Sequence, residues 1–145
     1  MTSVEIMVFF GTRAFVAILA GLIVGIERTL SNHAAGIKTI VFVCLGSCLF
    51  TTLAFYLHGL YPQADPTRII GQVVTGCGFL GAGVVFYNNE KVNGLTSAAI
   101  IWFSCAEGTI AGSGLVLIPI LAAITMVIIL VFLKKLEKLL EKFKP

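Results

Sequence analysis

The chain has 145 residues, of which 58% are hydrophobic and only 12% are charged, and its formal net charge is +3. A soluble domain carries about twice that charged fraction, so the composition excludes an ordinary soluble protein and predicts a single membrane domain. Half of the basic residues lie in the last dozen positions, which is a local patch and not a surface for nucleic acid. The N-terminus, MTSVEIM, lacks the basic region of a cleaved signal peptide.

Long apolar stretches fill most of the chain, and each is close to the length of about 20 residues that a membrane span needs. They are residues 4–26, 37–57, 69–87, 95–111 and 115–133. These stretches predict an all-α integral membrane protein with about five transmembrane helices in residues 1–133. A basic amphipathic tail, residues 134–145, follows them.

The first stretch combines a small-residue face with a charge. Small residues recur at every fourth position, and this spacing lets another helix approach closely: Ala17, Gly21 and Gly25. Arg13 lies on the same face, roughly 13 Å into the stretch. A charge at that depth needs a partner, and the candidates are Glu107 in the fourth stretch and Asp65. We predict an intramembrane Arg13–Glu107 pair, whose role is either structural or directly functional.

Polar residues cluster where the first stretch ends and the second begins. They are Glu27, Arg28, Lys38 and Thr39. Anchoring at the membrane interface explains Arg28 and Lys38, but it explains Glu27 less well. His33, in the connecting loop, is either a solvated histidine or a ligand.

The third stretch opens with Asp65-Pro66, which is a strong helix start because Asp caps and Pro fits the first turn. Arg68, Gln72 and Thr75 then share one face, which is expected to meet protein or water and not lipid. The alternative is that Asp65 only caps the helix and that Arg68 only pairs with it.

Glycine is dense in the second half of this stretch, GCGFLGAG at residues 76–83. Such density predicts tight helix packing, for which we single out Gly78, Gly81 and Gly83, or else a locally broken helix. It does not predict a phosphate loop, since no Lys-Ser/Thr follows.

The last two stretches differ in polarity. The fourth presents a small-residue face made of Ser97, Ser104 and Gly108, whereas the fifth is apolar and is expected to be a scaffold or a lipid-facing helix. The tail continues it as an amphipathic helix with an apolar stripe: Leu133, Leu136, Leu140 and Phe143. Its charges are expected to form two pairs: Lys134–Glu137 and Lys138–Glu141. The tail is either an interfacial stop held by anionic lipid headgroups or a docking helix for a partner.

The four cysteines, Cys44, Cys48, Cys77 and Cys105, all lie within apolar stretches, where cysteine acts as a small packing residue. A metal site is the weaker alternative, because Cys44 and Cys48 have no His or carboxylate nearby in sequence. Since there is also no Ser/His/Asp or Cys/His constellation, we expect no enzyme and no cofactor. A bound metal stays undecided.

The lysine-rich tail predicts a cytoplasmic C-terminus by the positive-inside rule. The loops 27–38 and 88–94 then face the cytoplasm and the loop 58–68 faces outward. A re-entrant fourth segment would reverse this topology.

Three ordered segments resemble the MgtC/SapB membrane proteins. They are GLIVGIER…GIKTIVFVCLGSCLFTTLAF, DPTRIIGQVVTGCGFLGAGVVF and VNGLTSAAIIWFSCAEGTIAGSG, and the resemblance covers about residues 10–115. The resemblance implies a multi-pass protein of the bacterial inner membrane. Such proteins are linked to growth at low magnesium, to stress or virulence adaptation and, in some members, to inhibition of the F-type ATP synthase. Many carry a C-terminal ACT-like domain, which this chain is expected to lack.

The family pattern falls on particular residues of this sequence. They are Glu27, Arg28, Gly36, Thr39, Asp65, Arg68, Gln72, Gly78, Gly81, Gly83, Gly94, Leu95, Thr96, Ala98, Ala99 and Trp102. Lys38 stands where the family usually has arginine, and Glu107 stands where it usually has a small or apolar residue. The resemblance therefore moves the expected working site from Arg13 and Glu107 to the polar residues at the ends of the helices.

Two functions follow as hypotheses. The first is a regulatory protein that binds its own copy, most simply as a homodimer packed through glycine faces, or another membrane protein such as the F-type ATP synthase. The second is an oligomeric pathway or transporter for Mg²⁺ or protons that uses Asp65, Glu27 and Glu107 as oxygen ligands. Few spans and no inverted repeat argue against the second.

Overall fold

A computed structural model of the chain describes residues 2–88 and 91–142. This part contains five α-helices and a short β-hairpin. The helices are α1 Ser3–Leu30, α2 Ile37–Leu60, α3 Pro66–Gly83, α4 Leu95–Gly112 and α5 Leu117–Glu141, and the strands are β1 Phe86–Asn88 and β2 Lys91–Asn93. The all-α membrane fold that the composition predicts is confirmed.

Four of the described helices are long and apolar enough to cross a membrane: α1, α2, α4 and α5. The exception is α3, whose 18 residues would measure about 27 Å along the helix axis. Its length is close to the bilayer thickness, but Arg68, Gln72 and Thr75 lower its hydropathy. The prediction of five helices is therefore confirmed, but only four of the described helices have the length and hydropathy of a membrane span.

Helices α1, α2 and α4 form the centre of the bundle, where each packs against the other two. Helix α3 covers one side, against α2 and α4, and α5 covers another, against α1 and α4. The core between them is made of small and branched side chains, among them Ala20, Val24, Ile40 and Ile101. Large apolar side chains such as Phe79 point outward, as they do in a protein whose solvent is lipid.

Close approach of the central helices depends on glycine. A Cβ on Gly21 would lie 2.9 Å from the Cα of Val41, and one on Gly25 would lie 2.8 Å from the Cα of Ile37. On α4, a Cβ on Gly108 would collide with the carbonyl of Cys44. The predicted small-residue faces of the first and fourth stretches thus lie against α2.

The third apolar stretch differs from its predicted bounds. Helix α3 ends at Gly83 instead of continuing to residue 87, and Phe86–Asn88 pairs with Lys91–Asn93 as two antiparallel strands where a plain loop is predicted. β-Branched and aromatic residues follow the glycines here and favour extended backbone. Gly94 then starts α4 with φ +87°, and its Cβ position is filled by the carbonyl of Val84, so only glycine fits.

The alternation of the helices defines two ends of the bundle. The tail end carries the C-terminus of α1, the N-terminus of α2, the hairpin and Lys134, whose Nζ lies 3.3 Å from Ser31 Oγ. The Asp65 end carries the loop between α2 and α3 and the C-terminus of α4. Helix α5 continues unbroken from the apolar stretch into the tail, to Glu141, and Phe143 lies outside the described residues.

Candidate functional site

The polar residues predicted as one working site lie at two ends of the bundle. Glu27, Arg28, Lys38, Thr39 and Thr96 are at the tail end. The others, Asp65, Arg68 and Gln72, are at the opposite end, and Trp102 lies within α4 with an exposed side chain. The structure therefore does not bring the acids Glu27 and Asp65 together.

The tail-end group is built around Glu27 and the buried Arg28, which is 2% exposed. Arg28 Nη1 lies 3.7 Å from Glu27 Oε2. Among the described residues, this is the only ion pair within 4 Å. Ser31 Oγ donates to Glu27 Oε1 at 2.8 Å. Arg28 Nε and Nη2 are buried and find no hydrogen-bond partner among the described residues. A buried guanidinium with free donors is a costly arrangement in which an additional acceptor would be stabilising.

His33 lies in the loop beside this pair, and its backbone N–H donates to the carbonyl of Arg28 at 3.1 Å. Burial, and secondly the charge of Arg28, lower the pKa of His33 below its ordinary value, while Glu27 acts in the opposite direction. Both burial and the charge of Arg28 favour the neutral imidazole.

Lys38, Thr39 and Thr96 have exposed side chains at the same end. The N-terminus of α2, where Lys38 and Thr39 lie, is capped from α1, because Thr29 Oγ1 accepts from the backbone N–H of Ile37 at 2.9 Å. Ser31 and Thr29 were not predicted as site residues. Ser31 had a signal in the sequence, since it follows Glu27 by one helical turn.

At the other end, Asp65 caps α3. Its Oδ1 accepts from the backbone N–H of Thr67 at 2.9 Å and from Thr67 Oγ1 at 2.7 Å. These hydrogen bonds hold the pKa of the Asp65 carboxyl below its ordinary value, and the charge of Arg68 acts in the same direction more weakly. No ion pair within 4 Å joins Asp65 to Arg68 in the part of the chain that the structure describes.

Arg68 and Gln72 line one end of a groove between α2 and α3. The groove has a volume of about 700 Å³, and its walls are apolar, with Phe42 and Phe50 on the α2 side. Both polar side chains are exposed, and we find no hydrogen-bond partner for either of them among the described residues.

The outward face of α3 carries small residues. They are Gly71, Thr75, Gly78 and Ala82, one helical turn apart and all exposed. A Cβ on Gly78 or Gly83 would meet nothing within 4 Å, whereas Gly81 is in ordinary contact with Ala98 of α4. Of the three glycines expected to pack helices in the third stretch, therefore, only Gly81 does so within one chain, because the others face away from the bundle.

Arg13 and Glu107 do not form the predicted ion pair. Arg13 Nη1 donates to the carbonyl of Gly112 at 2.7 Å, and its guanidinium lies over the ring of Phe9, 3.7 Å from the centroid. Glu107 is 1% exposed, lies one to two turns deeper along α4, and its Oε2 accepts from Cys44 Sγ at 3.8 Å. Arg13 thus has its acceptor at the end of α4. Glu107 Oε1, in contrast, has no hydrogen-bond partner in the described structure.

The expected tail pairs, Lys134–Glu137 and Lys138–Glu141, are also absent at 4 Å from the described structure. Lys134 Nζ reaches back to Ser31 Oγ instead. The described residues contain no group of three or more His, Cys, Asp or Glu side chains that could hold a metal ion.

Known proteins have similar sequences. The chain is 34% identical over 125 residues to protein MgtC of Brucella abortus, a match that covers 86% of this chain and 51% of the relative. It is 36% identical over 139 residues to the "Putative magnesium transporter YhiD" of Escherichia coli K12, covering 92% of this chain and 65% of the relative. It is 34% identical over 105 residues to protein SapB of Bacillus subtilis, a match that covers 68% of this chain and 45% of the relative.

The chain spans about half the length of several of these curated relatives. No solved structure matches it. A profile of the MgtC family matches residues 15–139, which is most of the sequence. The chain belongs to the MgtC family.

Proposed function

We propose that this MgtC-family protein is a regulatory membrane protein that acts by binding other membrane helices during magnesium limitation or related stress. The observation that supports the proposal is the outward face of α3, where Gly71, Thr75, Gly78 and Ala82 are exposed and uncovered by the described chain. Lipid chains make few close contacts with such a flat face, whereas a second helix can approach it closely and make van der Waals contacts along its length.

Arg68 and Gln72 strengthen this argument. An arginine and an amide without partners are costly at a lipid surface, and a facing protein can supply acceptors and donors. Both are on α3, between the small-residue face and the groove that α3 forms with α2. We propose that a second copy of this chain is the first partner and that it forms a homodimer through α3. Modulation of another membrane assembly, such as the F-type ATP synthase, would use the same kind of contact.

Self-association through α3 is tested by native mass spectrometry and by crosslinking in membranes. Gly78→Leu should abolish the dimer, because it places a bulky side chain on the outward face. Gly76→Leu is the matched control, since Gly76 lines the groove between α2 and α3 and also has nothing within 4 Å of its Cβ position. A wild-type protein that is strictly monomeric in the membrane would refute the proposal.

A cation pathway is the second candidate, because the name of the relative YhiD refers to magnesium transport. Magnesium is usually held by one or two carboxylates and several waters. Here Glu27 is engaged by Ser31 and Arg28, Asp65 caps α3 at the other end, and Glu107 is enclosed between helices. We therefore favour the regulatory role.

Proteoliposomes separate the two functions. The regulatory role predicts no Mg²⁺ flux above protein-free vesicles from the wild-type protein. Flux that is lost in Asp65→Asn or Glu107→Gln would establish the pathway instead. The same proposal includes a location in the bacterial inner membrane, which family membership supports, and a cytoplasmic tail end, which the basic tail supports.

A further inference from the structure

A second groove lies between α1 and α5 at the tail end, with a volume of about 500 Å³. We call it the lysine groove. Its floor is apolar and includes Ile23 and Ile26 from α1 and Val127 and Val131 from α5. These side chains belong to two helices that are apolar enough to cross a membrane, so lipid is the medium expected against them.

The groove lies where the second half of α5 is less buried than the first half, although Leu130 still packs against the core. The buried residues of α5 are Pro119, Ala123 and Met126, all in its first half. Beyond Met126 the described helix has no buried residue, and its polar link to α1 is the contact of Lys134 Nζ with Ser31 Oγ at 3.3 Å. Protein side chains thus leave the space between the two helices open.

Positive charge is concentrated at one end of this groove. Lys134, Lys135 and Lys138 line it from α5. None of the three has a carboxylate within 4 Å in the described part of the chain. Lys134 lies about 26 Å along α5 from Leu117, which places the lysines near one membrane surface if α5 crosses the bilayer.

One acid, Glu27, also lines the groove, but its charge is already engaged. Ser31 donates to its Oε1, and the buried Arg28 lies 3.7 Å from its Oε2. Three lysines (+3) and Glu27 (−1) are the charged residues that line the groove, so its net charge is +2. An anion is the complementary ligand.

From these observations we propose that the lysine groove binds an anionic phospholipid. Its phosphate would lie among Lys134, Lys135 and Lys138, and one acyl chain would run along the apolar floor between α1 and α5. A cationic cluster at headgroup depth above an apolar channel matches a lipid, which has both parts in one molecule. A soluble phosphate would use the lysines and leave the floor empty. The bound lipid would add contacts between α5 and α1, where the polar link in the described structure is the Lys134–Ser31 contact.

The test measures the thermal unfolding of the purified protein in an uncharged detergent with added phosphatidylglycerol or phosphatidylcholine. Wild type should be stabilised by several degrees more with phosphatidylglycerol. Lys135→Gln/Lys138→Gln should lose at least half of this difference. Lys91→Gln/Lys142→Gln is the matched control: it removes the same charge at the same end of the bundle, from residues outside the groove.

Two further arms separate a lipid from a free anion. Ile26→Trp fills the floor, where Ile26 is 49% exposed, and should also reduce the effect of phosphatidylglycerol while all the lysines remain. Soluble glycerol 3-phosphate at the same concentration should not stabilise wild type. An equal phosphatidylglycerol effect in the lysine variant and in its matched control would overturn the proposal. Stabilisation by glycerol 3-phosphate that Ile26→Trp leaves unchanged would overturn it as well.

Discussion

The guanidinium of Arg13 donates a hydrogen bond of 2.7 Å to the backbone carbonyl of Gly112, at the residue where α4 ends. The last carbonyls of a helix lack partners within the helix and carry the negative end of its dipole. Arg13 therefore finds both an acceptor and a favourable field without a carboxylate. The ring of Phe9 adds a cation–π contact.

The first prediction concerns this contact. Arg13→Met should lower the free energy of unfolding by about 1–2 kcal/mol, the lower part of the range for hydrogen bonds to charged groups, because Arg13 is partly exposed. Thermal or denaturant unfolding in detergent measures the change. Arg13→Lys should recover part of the loss, since lysine keeps the charge and one donor. A variant as stable as wild type would show that the contact contributes nothing.

A double-mutant cycle tests whether Arg13 and Glu107 interact. Since each has a different partner, Gly112 for Arg13 and Cys44 for Glu107, the effects of Arg13→Gln and Glu107→Gln should add within about 0.5 kcal/mol. Glu107→Gln alone should lower the free energy of unfolding by less than about 1 kcal/mol. Glutamine has the same shape as glutamate and is neutral, and no cation lies within 4 Å of the Glu107 carboxylate in the described structure. A coupling energy above about 1 kcal/mol would contradict this expectation and indicate that Arg13 and Glu107 interact.

The third prediction separates glycines by what surrounds them. Gly108→Ala should destabilise the protein by about 1–3 kcal/mol, because its Cβ would collide with the carbonyl of Cys44 and the helices would have to move apart. Gly46→Ala should instead stabilise it by about 0.5–1 kcal/mol, since alanine favours the helix and nothing lies within 4 Å. Unfolding measurements on the two single variants decide this. Equal changes in unfolding free energy for the two variants would contradict the close approach of α4 to α2.

Much of the fold could be predicted from the sequence, because apolar length and helix-start residues act locally. The start of α3 after Asp65 and the starts of α2 and α4 coincide with the predicted apolar stretches to within a few residues. The end of α3 could not be placed, since the glycines at 76–83 are compatible with a helix or a break. The contact of Gly94 with the carbonyl of Val84 adds a tertiary constraint on where the chain turns, which the sequence does not show.

The candidate site was less accessible from the sequence. Charge alone suggested Arg13 and Glu107 as partners, but the acceptor of Arg13 is a backbone carbonyl, which leaves no signature in a sequence. Likewise, the spacing of glycines shows that a face is small without showing whether it turns inward. Gly21 and Gly25 lie against α2, whereas Gly78 faces outward.

The last prediction concerns pH and the start of α3. Hydrogen bonds from Thr67, with weaker help from the charges of Arg68 and His58, lower the pKa of Asp65 from its ordinary value of 3.8. A lowered pKa means that the charged cap stabilises the folded helix fully above the ordinary pKa and that this contribution disappears as the pH falls through the lowered pKa. Hydrogen exchange of the Thr67 amide, corrected for its intrinsic rate, should therefore accelerate from about pH 4 downward.

Asp65→Asn provides the control, because asparagine also caps helices but does not titrate. Its Thr67 amide should show protection that does not depend on pH over the same range. Asp65→Ala should leave this amide unprotected at every pH, since the acceptor of its 2.9 Å hydrogen bond is gone. An acid-induced loss of protection that is identical in wild type and in Asp65→Asn would assign the effect to another group and would remove Asp65 as the titrating cap.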